Sequence, residues 1–289
     1  MKNISNSLLF IFGLMVLIAA CSKKEIITPV SKEIIHFDEY HGQKVSDPYR
    51  WLENFTDDEV REWVRLQNNY SQQFLKNRFQ KSIKQDLELI WTSEYLSTPF
   101  KVGEKIFYYF NTGKLEQNRL MIRDCESCPE RILIDPNDFS NDGTVSLASV
   151  SVSPNAEWIA FAKSDGGSDW RTWKIMNIAS GEILDDEIKW SKFSSAEWSP
   201  DSKGFFYRKY LKPDGEELLD LNSSPKLMFH SIGTDQINDQ IIIWDKNDPL
   251  LSRSIKVSDD GQYKILFTEK GTDDRNLISV SRYDDKEFI

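Results

Sequence analysis

Histidine and cysteine each occur only three times in 289 residues, and no Gly-x-Ser-x-Gly is present. Acyl transfer by a serine hydrolase needs the hydroxyl on a sharp strand-to-helix turn with an imidazole in hydrogen-bond reach, so the sequence offers no catalytic residues for it. The nearest match, Gly166-Gly167-Ser168-Asp169, runs into Trp170 where a second glycine is required and falls at a turn between strand patterns. Ser168 is therefore read as turn chemistry. His36, His41 and His230 are read as surface or packing residues, and only His230 lies in the strand-rich part. Runs of lysine and arginine are missing too. With a net charge of −10, the chain lacks the clustered cations that displace counterions from a polyanion, which excludes nucleic acid as a partner. The acidic groups Asp185-Asp186-Glu187 and Asp273-Asp274 lack calcium-loop spacing and read as solvated turns. Neither a metal nor a cofactor is expected.

The longest apolar stretch, Leu8 to Ala20, is about 13 residues, short of the ~20 that span a bilayer as a helix. It follows Lys2 and ends in Ile18-Ala19-Ala20-Cys21, the form of a secretory signal whose small residues precede a cysteine. Residues 1–21 are therefore read as a bacterial lipoprotein signal with Cys21 the lipidated residue; an ordinary cleaved signal with an incidental cysteine is the other reading. Residues 22–34 are a polar tether. The expected location is extracytoplasmic and membrane-anchored, in the periplasm or at the cell surface. Cys125 and Cys128 are three residues apart between two strand patterns, at a hairpin tip. No second pair completes a zinc site, and a disulfide, two free thiols or a redox or metal half-site all stand.

What the chain does contain is apolar residues in two periods. From Thr56 to Phe79, Val60, Trp63, Val64, Tyr70, Phe74 and Leu75 recur at three- and four-residue steps, the signature of one helical face. Thr56 with Glu59 forms a capping box, and Asp57 and Asp58 suit the positive end of the helix. A second helix is expected over Lys81 to Trp91, making 35–95 a helical segment. Beyond it, strands are expected at Lys105–Asn111, Asn118–Asp124, Arg131–Asp135, Glu157–Lys163, Thr172–Ile178, Gly204–Tyr210 and Lys226–Ile232. Turns headed by Ser153, Ser199 and Ser258 repeat at separations of 46 and 59 residues, near the four-strand period of a β-propeller blade with one insertion. Leu211 to Pro225 is the expected insertion. The fold class is mainly β, with residues 96–289 forming an incomplete propeller of about four blades; an unrelated β-sandwich is the competing architecture.

Val45-Ser46-Asp47-Pro48-Tyr49-Arg50-Trp51-Leu52-Glu53, then Trp63-Val64 and Gln67-Asn68, resembles the N-terminal signature of the prolyl oligopeptidase family of serine peptidases. Gly167-Ser168-Asp169-Trp170, the serine-headed turns, and His230 to Gln236 before Val257 to Tyr263 continue the resemblance in the family's order, covering Ile35 to Ile289. It implies a seven-bladed propeller over the active site of a C-terminal α/β-hydrolase domain that cuts short peptides after proline. The catalytic serine, aspartate and histidine belong to that domain, which is absent from these residues, so no catalytic role carries over. The hydrolase domain, missing or separately encoded, is then the expected partner. Trp51, Leu52, Trp63 and Val64 are expected to anchor the helical segment against it, and without it to leave an apolar patch on a fragment unstable alone. A catalytically inactive, lipid-anchored propeller that binds peptides or proteins is the alternative.

Overall fold

The computed structural model describes residues 28–76, 78–213, 223–285 and 287–289. The signal segment, Cys21 and the first part of the tether lie outside them, as does most of the Leu211 to Pro225 insertion. The chain forms two compact units that divide between Ile90 and Trp91.

The first unit begins with a hairpin, β1 (Phe37–Tyr40) and β2 (Gln43–Ser46). His41 and Gly42 both take positive φ, 51° and 78°, as a two-residue turn matched to strand twist requires. The Asp47 to Asn54 signature then folds into a tight turn. The Asp47 carboxylate accepts the Tyr49 N–H, the Pro48 carbonyl oxygen accepts the Ile34 N–H, and Arg50 is ion-paired with Asp38, Asp47 and Glu53. Helix α1 (Asp58–Leu75) follows. Its cap is Asp57, whose carboxylate accepts the Glu59 N–H at 2.7 Å. The capping box expected from Thr56 does not form, because the Thr56 hydroxyl donates to Asn54 instead. The helix also stops at Leu75 rather than Phe79, and α2 (Arg78–Trp91) starts three residues before Lys81.

Four antiparallel sheets make up the second unit. The first holds β3 (Tyr95–Leu96), β4 (Phe100–Val102), β5 (Lys105–Asn111), β6 (Arg119–Arg123) and β7 (Glu130–Ile134). The second holds β8 (Val145–Val152), β9 (Trp158–Asp165), β10 (Arg171–Asn177) and β11 (Ile188–Ser191). The third holds β12 (Glu197–Trp198), β13 (Gly204–Lys209), β14 (Lys226–Ser231) and β15 (Gln240–Ile243). The fourth has β16 (Leu251–Val257), β17 (Tyr263–Lys270) and β18 (Leu277–Arg282), with Ile289 exchanging two backbone hydrogen bonds with Val280.

Each sheet shares a core with the next, which makes them propeller blades. Side chains alternate across a strand, and here both faces are apolar. In β9, Ile159 and Phe161 pack with Phe107, Leu120 and Ile122 of blade 1, while Ala160 and Ala162 join Trp198, Phe205 and Tyr207 of blade 3. In β13, Phe205 and Tyr207 face blade 2, and Phe206 packs with Ile255 and Leu266 of blade 4. The middle blades are thus covered twice.

The repeated turns are one structure used three times. Ser153, Ser199 and Ser258 each donate an N–H to the carbonyl five residues on, at 2.9, 2.9 and 3.0 Å. Their hydroxyls lie 2.7, 2.7 and 2.6 Å from the carboxamide or carboxylate of Asn155, Asp201 and Asp260. The residue three after the serine takes positive φ in every case, 54° at Ala156, 59° at Ser202 and 70° at Gly261. That shared conformation explains the period in the sequence.

Candidate functional site

Strands of all four blades meet around one cleft of about 580 Å3. Val102 of β4, Val152 of β8, Trp198 of β12 and Val257 of β16 line it, with Lys101 and Glu197 the charged residues on those strands. Glu197 fastens two blades, accepting the Val257 N–H at 2.8 Å and the Lys256 ammonium at 2.7 Å. The Trp198 indole donates to the Ser151 carbonyl at 3.0 Å across the preceding seam. The walls are thus mixed, with Val102, Val152, Trp198 and Val257 beside Lys101, Glu197, Asp259 and Asp260, and polar ties join the blades.

Ser168 sits in a tight turn. Its N–H donates to the Asp165 carbonyl at 2.9 Å, and its hydroxyl accepts the Trp170 N–H at 3.1 Å. Trp170 packs edge-on against Trp190 and Tyr210 at 5.5 and 6.3 Å between ring centres, with the Lys192 ammonium 3.8 Å over its ring. This corner thus has a packing role.

His230 is a packing residue, and its surroundings correct the reading of Asp186. It is wholly buried on β14, with Nδ1 2.7 Å from Asp239 Oδ1 and Nε2 2.8 Å from Asp186 Oδ1. Asp186 is itself buried, not the solvated turn residue expected, because it also accepts the Gly233 N–H at 2.7 Å. Asp239 accepts the Tyr207 hydroxyl at 2.6 Å, and Gln236 donates to that hydroxyl at 3.0 Å. Burial pushes the Tyr207 phenol up strongly, reinforced by Asp239. Burial alone would lower the His230 pKa; the hydrogen bonds and charges of Asp239 and Asp186 outweigh it and hold the pKa above the usual imidazole value. With both nitrogens facing carboxylates, this ring has no lone pair for a serine proton. The cluster was missed because its members are 44 and 9 residues apart, and adjacency in sequence gave Asp186 only acidic neighbours.

The structure joins Cys125 and Cys128 in a disulfide at the β6–β7 turn, where Cys128 N–H also donates to the Cys125 carbonyl at 3.1 Å. Trp51 and Trp63 are half-buried, their indoles donating to the Lys32 carbonyl and the Ser31 hydroxyl, each at 2.9 Å. Leu52 is half-buried, and Val64 is exposed. The four do not form one buried cluster; the two indoles instead fix the chain that precedes the hairpin.

Comparison with known proteins agrees with this architecture. Residues 29–287 match the family profile described as prolyl oligopeptidase, N-terminal beta-propeller domain. A prolyl endopeptidase of Elizabethkingia miricola is 34% identical over 94% of this chain and 39% of its own length, and that of Elizabethkingia meningoseptica is 35% identical over 90% and 37%. A solved prolyl endopeptidase superposes with a TM-score of 0.81 at 29% identity, covering 91% of this chain and 39% of the other. Prolyl oligopeptidase B of Galerina marginata, bound to a 35mer hydrolysis and macrocyclization substrate, gives a TM-score of 0.78 at 27% identity over 90% and 40%. The chain thus spans about two-fifths of the length of these relatives, and its blades, serine-headed turns and entry signature all fall within that part. By this match the chain belongs to the prolyl oligopeptidase family, of which these residues carry the N-terminal β-propeller domain.

Proposed function

We propose that this propeller is the size-selecting part of a lipid-anchored serine peptidase that hydrolyses short peptides after proline. The observation that carries the reading is the convergence of β4, β8, β12 and β16 on one cleft within a chain that matches the prolyl oligopeptidase propeller. A passage bounded by hydrogen-bonded blade edges admits an extended peptide and rejects a folded one. The nucleophilic serine and its histidine and aspartate then come from an α/β-hydrolase part, in the same polypeptide or a second one. That part packs on the helical segment near Trp51, Leu52, Trp63 and Val64. Acylation of Cys21 holds the assembly at the membrane, in the periplasm or at the cell surface, since multiple acyl chains anchor where one binds only marginally.

Two measurements test it. A peptide with a chromogenic group after proline is expected to be stable to the 289-residue chain and to be cut when a hydrolase part is supplied with it. Turnover by the chain alone, abolished by a serine-reactive inhibitor, refutes the assignment of catalysis elsewhere. Radiolabelled fatty acid is expected on the wild-type chain and not on Cys21→Ser; equal labelling of both refutes the anchor.

A further inference from the structure

The seam between blades 2 and 3 contains a group whose proton count is set by geometry. Asp186 precedes β11 in blade 2, His230 stands on β14 and Asp239 precedes β15 in blade 3. The ring nitrogens lie 2.7 and 2.8 Å from carboxylate oxygens of Asp239 and Asp186, and all three side chains are at most 3% exposed. An ionised carboxylate only accepts hydrogen bonds, and a neutral imidazole has only one N–H to donate. Both contacts are therefore satisfied together by the imidazolium, as charge-assisted hydrogen bonds. The surrounding donors fit ionised partners as well: the Gly233 N–H on Asp186 and the Tyr207 hydroxyl on Asp239. Lys209 on β13 adds a positive charge that Asp239 feels, and the Phe205 ring lies 5.5 Å from the imidazole.

We propose that protonated His230 is a pH-sensitive latch between blades 2 and 3, closed by Asp186 and Asp239 and released when rising pH removes its second proton. Loss of that proton turns one N–H donor into a lone pair facing a buried carboxylate, and an unpaired charge in a desolvated site is costly. Of the two ring contacts, that to Asp186 crosses the seam. Beside it, Gln236 of blade 3 bridges the backbone of Lys189 in blade 2, donating to its carbonyl at 2.9 Å and accepting its N–H at 3.2 Å. Release would loosen this rim first.

The direction with pH follows from the folded ring holding its proton more tightly than the unfolded one. The stabilisation is complete below the unfolded-state value of about 6.5 and is lost as pH rises through the folded value. Ring-15N-histidine NMR of the full chain tests this directly. His230 is expected to keep two N–H groups above the unperturbed imidazole value of about 6.5; titration at or below that value overturns the latch. Denaturation between about pH 6 and 10 should show stability falling over the window in which the His230 signal titrates. His230→Gln should remove that slope and lower the folding equilibrium constant at pH 6 by about 100-fold or more; an unchanged slope overturns the proposal. Should His230→Gln fail to fold, Asp186→Asn serves instead. It retains the contact within blade 3 and is expected to lower the pH at which His230 titrates, and an unmoved titration is again a refutation.

Discussion

Blade 2 and helix α2 are both rich in large apolar residues, yet only the blade buries them. Ile159, Phe161, Trp173 and Ile175 in β9 and β10 have no more than 1% of their surface exposed. Phe79, Ile83, Leu87 and Trp91, spaced along α2 at four-residue steps, are 65, 58, 50 and 79% exposed. A blade is covered by the equivalent blades on either side, so repetition alone supplies its partner. A helix face cannot pack on itself, and a helix of 14 residues is marginal in water without tertiary contacts. Stability in this chain is therefore expected to concentrate in the blade seams.

The strongest challenge to that contrast is a pair of truncations. Trp173→Ala should cost about 3–5 kcal/mol in the propeller transition, and Leu87→Ala should stay within about 0.5 kcal/mol, both read by urea denaturation. Equal losses would break the comparison and show that the α2 face is covered in solution. A smaller effect separates steric from conformational demands on glycine. A Cβ at Gly204 would lie 2.1 Å from the His230 carbonyl oxygen, so close does β13 run to β14, whereas one at Gly42 meets nothing within 4 Å. Gly204→Ala should cost about 1–3 kcal/mol from overpacking. Gly42→Ala should cost about 1 kcal/mol from its positive φ alone, and the reverse ranking by thermal melting would contradict the packing of the blade. The smallest effect concerns the start of α1. Asp57→Ala should lower helix stability by about 1 kcal/mol, while Thr56→Ala should change it by a few tenths; hydrogen exchange in the first turn reads both.

Legibility followed the kind of signal each element carries. Lys105–Asn111 and Gly204–Tyr210 were visible because aromatic and β-branched residues cluster in them, and they overlap β5 and β13. β8, Val145–Val152, was not predicted as a strand: four of its eight residues are small polar or alanine and every one is half-buried, so no alternation stands out. The helix cap slipped by one residue because Thr56 and Asp57 both suit it in sequence, and the bond from Thr56 to Asn54 decided between them. The exposed apolar stripe of α2 lies outside the four anchors expected at Trp51, Leu52, Trp63 and Val64.

From the amino-acid order alone come the blade period, the serine-headed turns and the family signature, because each rests on contacts within a few residues whose backbone demands are local. The identity of the residues that lock one blade to the next came only with the fold. Asp186, His230 and Asp239 acquire their roles when a seam removes water from them, and desolvation of a charge is a property of surroundings that no short stretch of sequence contains.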